Sequence, residues 1–238
     1  APDAPWGYAL RSAVYSDLAQ YEAAIADIER AISRAPDTIS LNVEKVALLE
    51  EAEEWQRLLD FTDELVAANP ENALFLAYRG LARFSLTPWD SDPGFNEVTE
   101  ALRMDPEDAE IYLLRAGIRQ REGDRFGAIA DAARAIQLDP SLIMAHVLKA
   151  ALTENLEEAQ NLVRRAPNNP RAWIVLANTL LEKGPLSPSI PAVLEIAEKL
   201  EKMGFDPKAA NLLRYLARQR AHCLEPFKHL KTAGGCQE

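Results

Sequence analysis

"GDRFGAIADAARAIQLDP" occupies residues 123–140, and "LAQYEAAIADIERAISRAP" occupies residues 18–36. The two stretches share a core of "AIAD" followed by an alanine-spaced apolar run, and each closes on proline. Apolar residues in both recur at three and four, the spacing of one face of an α-helix. A sentence written twice about a hundred residues apart points to a repeated structural unit.

The closing prolines set the period. Pro36, Pro70, Pro106 and Pro140 follow one another at 34, 36 and 34 residues. A fixed interval in that range marks a solenoid of stacked helical units. No sustained alternation of β-branched residues indicates a strand. Each unit reads as two helices. In residues 109–142, helix A is "AEIYLLRAGIRQRE" and helix B is "RFGAIADAARAIQL". Gly123 makes the turn between them, where a positive φ costs glycine little. Pro140 ends helix B, because proline cannot continue a helix.

These units resemble the tetratricopeptide repeat family. That pattern places small residues where helices A and B cross, an aromatic at the start of helix B and a proline at the close. Residues 109–142 match it with Tyr112, Ala116, Gly123, Ala128, Ala135 and Pro140, with Phe126 one place late at the aromatic slot. Residues 5–38 match with Tyr8, Ser12, Tyr15, Tyr21, Ala24, Ala31 and Pro36. Residues 39–72 fit less well: Trp55 holds the aromatic slot, but Leu58 and Leu65 replace small residues. Gly80, Ala101 and Pro106 match in 73–108, and Trp173, Ala177 and Gly184 in 171–184. The resemblance implies an all-α, right-handed superhelical solenoid of antiparallel helix pairs. About six pairs span 1–206, a capping helix spans 207–224, and a tail spans 225–238.

The repeats have irregular points. "SLTPWDSDPGFN" (85–96) carries two prolines and a glycine, so helix stops there and restarts near Asp92-Pro93. Trp89 at its centre is read either as a protruding contact or as a lid on its own unit. "DSDPG" lacks the later bidentate glutamate of a calcium loop. Residues 143–170 leave little room for a full first helix, and "KGPLSPSIPA" (183–192) reads as a long, stiff link.

The resemblance also implies a function: a scaffold or adaptor holding a peptide or helical segment on the concave face lined by helices A. Register along the family pattern gives the mid-groove pairs Ala9 and Ala13, Val43 and Ala47, Ala77 and Leu81, Leu113 and Gly117, Val147 and Ala151, Ile174 and Asn178. The first five pairs lack the lysine and asparagine clamp of members that dock chaperone tails. The rim is acidic, with Asp17, Glu50, Glu51, Glu154 and Glu182, and Arg121 the exception. An apolar floor with an acidic rim suits an amphipathic segment with basic flanks, unless the chain's own curvature fills that floor.

The 238 residues carry 26 Lys and Arg against 37 Asp and Glu, a net charge of −11. Such a chain repels phosphate, which argues against nucleic-acid binding. No stretch approaches the ~20 apolar residues of a membrane span. Residues 207–238 are the exception in sign, with a net +4. A basic end on an acidic body suggests weak head-to-tail self-association or a structural contact within a larger complex.

No nucleotide-binding, zinc-protease or serine-hydrolase motif is present. The sequence therefore predicts no catalysis and no cofactor. His146, the first of three histidines, falls among apolar residues of a helix A. His222, Cys223, His229 and Cys236 are zinc-ligand types and leave a metal-binding module as an alternative reading, although their spacing fits no common zinc pattern. Cys223 and Cys236 read as a local disulfide or as two free thiols. The alanine start and the end-placed cysteines suggest an extracytoplasmic compartment such as a periplasm, with a cytoplasmic home or a piece of a longer protein as alternatives.

Overall fold

The computed structural model describes residues 4–36, 38–87, 92–182, 189–205 and 207–222. The described residues form helices and no strand. They divide into two compact units, one ending at Gly123 and the other beginning at Asp124. The boundary falls inside the 109–142 repeat, where the sequence period alone gives no sign of it.

The first unit holds α1 (Pro5–Asp17), α2 (Tyr21–Arg34), α3 (Ile39–Glu51), α4 (Trp55–Ala68), α5 (Ala73–Leu86), α6 (Asp92–Met104) and α7 (Ala109–Glu122). Each helix packs on the next, and α5 also meets α7. The small residues stand at the crossings, as the repeat pattern requires. Ser12, Ala24 and Ala31 are buried, and the Ser12 hydroxyl donates to the Ala24 carbonyl at 2.9 Å. At the α5–α6 crossing glycine faces glycine. A methyl group built on Gly80 would lie 2.6 Å from the Gly94 carbonyl oxygen, and one on Gly94 would lie 2.6 Å from the Gly80 oxygen. Where small residues are missing, Leu58 and Leu65 are nonetheless buried between α4 and its neighbours.

The second unit holds α8 (Arg125–Leu138), α9 (Ile143–Thr153), α10 (Leu156–Arg165), α11 (Pro170–Glu182), α12 (Ser189–Lys202) and α13 (Pro207–His222). The short repeat 143–170 keeps both helices, each trimmed by about a turn. Asn155 restarts the chain by accepting from the Glu157 and Glu158 amides. The sequence put a link over 183–192, but Ser189 already begins α12, with Pro191 in its first turn. α13 packs on α12 and α11, and its Ala210, Leu213 and Ala217 join a core with Ala177, Val193 and Leu200.

The turns between helices A and B explain much of the local geometry. Gly123 ends α7 in the left-handed region (φ 82°), as its position predicts. Three other turns reach the same region without glycine: Ala19 (φ 55°), Glu53 (φ 56°) and Glu154 (φ 52°). Side chains lie strained there, since Cβ crowds the following carbonyl.

One packing expectation fails. Phe126 is 86% exposed, so it does not fill an aromatic slot at the start of helix B. The slot position proper holds Arg125, and one residue further round the helix turns the ring by about 100° into solvent. Trp89, Cys223 and Cys236 lie outside the described residues.

Candidate functional site

Helix register places the mid-groove residues, and the two units present them differently. In the first unit Val43, Ala47, Leu113 and Gly117 are half-buried, and a methyl group on Gly117 would meet nothing within 4 Å. Ala77 and Leu81 are buried outright. The sequence expected both to face a partner. α5 is instead enclosed by α4, α6 and α7, so these side chains belong to the core.

The rim of the first unit is tied down by its own neighbours. The Ser16 hydroxyl donates to Glu51 at 3.1 Å. Arg121 donates to the Ser85 hydroxyl at 2.9 Å and its guanidinium sits 5.4 Å from the centre of the Trp55 ring, a cation–π distance. Glu50 acts on the buried Tyr78, whose hydroxyl donates to Glu110 at 3.2 Å. Burial first, then the Glu110 and Glu50 charges, raise the Tyr78 pKa well above the ordinary phenol value, so the ring stays neutral.

The second unit has an open cleft of about 350 Å³. Ala151 and Glu154 reach it from the end of α9; Val175, Asn178, Thr179, Leu181 and Glu182 from α11; and Leu216 from α13. Asn178 and Ala151 are exposed, Ile174 is half-buried, and Val147 is buried beneath them. The Thr179 hydroxyl is spent on the Val175 carbonyl at 2.8 Å, so it helps the helix rather than the cleft. Glu154 accepts from Arg125 at 2.8 Å, and Glu182 stands exposed at the end of α11. The wall is thus mixed, with Ala151, Val175, Leu181 and Leu216 beside one amide, one hydroxyl and two carboxylates.

Leu216 is the residue that sequence reasoning missed. Ala210, Leu213 and Ala217 repeat the spacing of Ala172, Val175 and Thr179, which are buried on α11. That register makes α13 a further helix A and puts Leu216 in the place that Asn178 holds on α11 and Ala151 on α9. Reading α13 only as a cap hid the signal.

His146 does not resemble a catalytic base. Its Nε2 lies 3.1 Å from the Pro140 carbonyl and 3.1 Å from Arg165, at the edge of a separate recess with Lys149 and Glu158. Among the described residues no group of His, Cys, Asp and Glu could hold a metal ion, and no helix is long and apolar enough to cross a membrane.

Helix pairs repeated every ~34 residues, with small residues at most crossings and a cleft walled by helices A, define an α-helical repeat protein. Residues 7–38 match the family model of the tetratricopeptide repeat. That stretch thus matches a tetratricopeptide repeat, and the described helices share the fold of tetratricopeptide-repeat solenoids. The chain is 42% identical over 62 residues to Protein SGT1 homolog of Oryza sativa subsp. japonica, a match covering 26% of this chain and 17% of the rice protein. Among solved structures it is similar to the Cut9–Hcn1 hetero-tetramer of the APC/C (TM-score 0.74, 14% identity, 91% of this chain and 43% of that one). It is also similar to a thermophilic TPR protein of Thermus thermophilus (0.63, 19%, 75% and 100%) and to yeast Tom70 (0.63, 18%, 90% and 48%). Proteins of this family are generally non-catalytic scaffolds for protein–protein interaction.

Proposed function

We propose that the chain is a non-catalytic scaffold that holds a segment of a partner protein in the cleft between α9, α11 and α13. The observation that carries this reading is the cleft itself: apolar Ala151, Val175 and Leu216 beside exposed Asn178, with Glu154 and Glu182 at the mouth. Apolar wall area supplies the attraction, at about 25 cal/mol per Å² removed from water. Asn178 offers both a donor and an acceptor, the pair that a peptide group also presents. Glu182 favours lysine or arginine beside an apolar anchor and opposes acidic flanks, while Glu154 is already paired with Arg125.

The test uses two labelled peptides with one apolar anchor each, one flanked by lysines and one by glutamates. Fluorescence anisotropy at low salt should show the lysine-flanked peptide binding at least about tenfold more tightly, a difference of ~1.4 kcal/mol. Asn178→Arg, a change at an exposed position, should remove that preference without altering the helical circular dichroism. Equal affinity for both peptides, or binding indifferent to Asn178→Arg, would overturn the reading.

A further inference from the structure

The second unit carries a recess on another face of α9. Its volume is about 150 Å³, and its polar lining is His146 and Lys149 of α9 with Glu158, Asn161 and Arg165 of α10. At about 100° per residue, these α9 positions lie roughly a third of a turn round the helix from Ala151 and Glu154 of the cleft. The recess and the cleft are therefore separate sites.

Among the described residues Arg165 meets no carboxylate, although the chain holds 37 Asp and Glu against 26 Lys and Arg. Its partner is His146, with Nη1 3.1 Å from Nε2 and 3.4 Å from Nδ1. His146 Nε2 also stands 3.1 Å from the Pro140 carbonyl oxygen. One tautomer of the neutral ring satisfies this arrangement: Nε2–H donates to Pro140, and Nδ1 accepts from Arg165. A neutral acceptor holds the guanidinium in place without cancelling its charge. The rest of the fork stays available to donate, and charge-assisted bonds from such a fork are the strong ones. Asn161 is turned the same way. Its oxygen accepts from Arg164, which leaves its NH2 group as a donor.

The other two charges of the recess are paired. Lys149 donates to Glu158 at 2.6 Å, and the Thr153 hydroxyl donates to the same carboxylate at 2.6 Å. Burial opposes ionisation of Glu158, but these hydrogen bonds outweigh it and hold its pKa below the ordinary glutamate value. Glu158 is thus charged at neutral pH and offsets Lys149, and Arg165 leaves the recess with a single positive charge.

We infer that the recess holds one carboxylate of a partner protein, gripped by the Arg165 guanidinium and the Asn161 amide. One positive charge balances one carboxylate, whereas the Glu158 charge opposes the second negative charge of a phosphate group. The volume also suits a small group, since pockets for whole small molecules begin near ~300 Å³. A side-chain carboxylate and a chain-terminal one present the same chemistry here.

Amide NMR on the isotope-labelled full chain tests this at ~150 mM salt, where distant charges are screened. Three acetylated peptides serve as probes. One contains a glutamate and is amidated at its end; the second has glutamine in its place; the third is the glutamine peptide with a free terminal carboxylate. A carboxylate peptide should shift the amides around His146, Lys149, Asn161 and Arg165 in a saturating way, and the amidated glutamine peptide should not. Whichever carboxylate peptide binds identifies the source. Arg165→Gln, at an exposed position, should weaken binding at least about fivefold with unchanged circular dichroism. Glu158→Gln should act in the opposite sense and tighten it severalfold, because it frees Lys149. Arg103→Gln removes the same charge from the first unit and should change nothing. The proposal is overturned if neither carboxylate peptide gives saturating shifts at the recess, if all three peptides bind alike, or if Arg103→Gln weakens binding as much as Arg165→Gln. A Glu158→Gln variant that binds no more tightly than the parent overturns it too.

Discussion

Gly80→Ala places a methyl group 2.6 Å from the Gly94 carbonyl oxygen, 2.9 Å from Val98 Cγ2 and 3.0 Å from Glu97 Cβ. The nearest of these is backbone, which cannot rotate away, so α6 must move by several tenths of an ångström. Overpacking of that kind costs ~1–3 kcal/mol, and a rigid backbone contact puts it at the upper end. Alanine recovers ~1 kcal/mol of helix propensity relative to glycine. The net loss is about 2 kcal/mol, or a fall in Tm of roughly 8 °C for a unit of this size. The internal control is Gly117→Ala. Gly117 is also helical, but a methyl group there meets nothing within 4 Å, so it should gain ~1 kcal/mol from propensity alone. Urea denaturation followed by circular dichroism reads both. If Gly80→Ala is neutral, or stabilises as Gly117→Ala does, the close α5–α6 crossing is refuted.

Further expectations concern the turns and the acid limb. Ala19→Gly and Glu53→Gly should each stabilise by about 0.5–1 kcal/mol in the same assay, because both residues sit at positive φ, while Gly123→Ala should cost ~1 kcal/mol. Asp27 is buried, and its pKa is held below the ordinary carboxylate range chiefly by the Arg11 hydrogen bonds, with Arg30 adding another at 2.9 Å. A depressed folded pKa contributes stability above the unfolded value, near 3.9, and that stability disappears as pH falls through the folded value. Asp27→Asn should therefore unfold at lower urea than the parent at pH 7. The gap should begin to shrink only below about pH 4 and close as pH falls through the folded value. A gap that is constant with pH would remove Arg11–Asp27 as its cause.

The period of the fold was legible because its markers are local. Proline at the close of helix B, small residues at the crossings and Gly123 at a turn each act within a few residues of where they stand. The irregular features depended on contacts distant in sequence. Nothing near Gly80 announces that its partner in the crossing is Gly94, beyond an irregular loop. Ala77 and Leu81 have groove register, yet three neighbouring helices enclose α5. Phe126 was assigned by residue type, and a single-residue offset turned it outward. Leu216 could have been found by carrying the Ala172, Val175, Thr179 spacing one helix further.

α13 shows two faces to the second unit: Ala210, Leu213 and Ala217 to the core, and Leu216 to the cleft. Any occupant that touches Leu216 therefore binds only the state in which this terminal helix is docked. By mass action such an occupant withholds the helix from fraying, by ~2.7 kcal/mol at a hundred times its dissociation constant. Occupancy is written into the melting of α13, so a partner need not be captured to be detected. It announces itself as delayed amide exchange along α13.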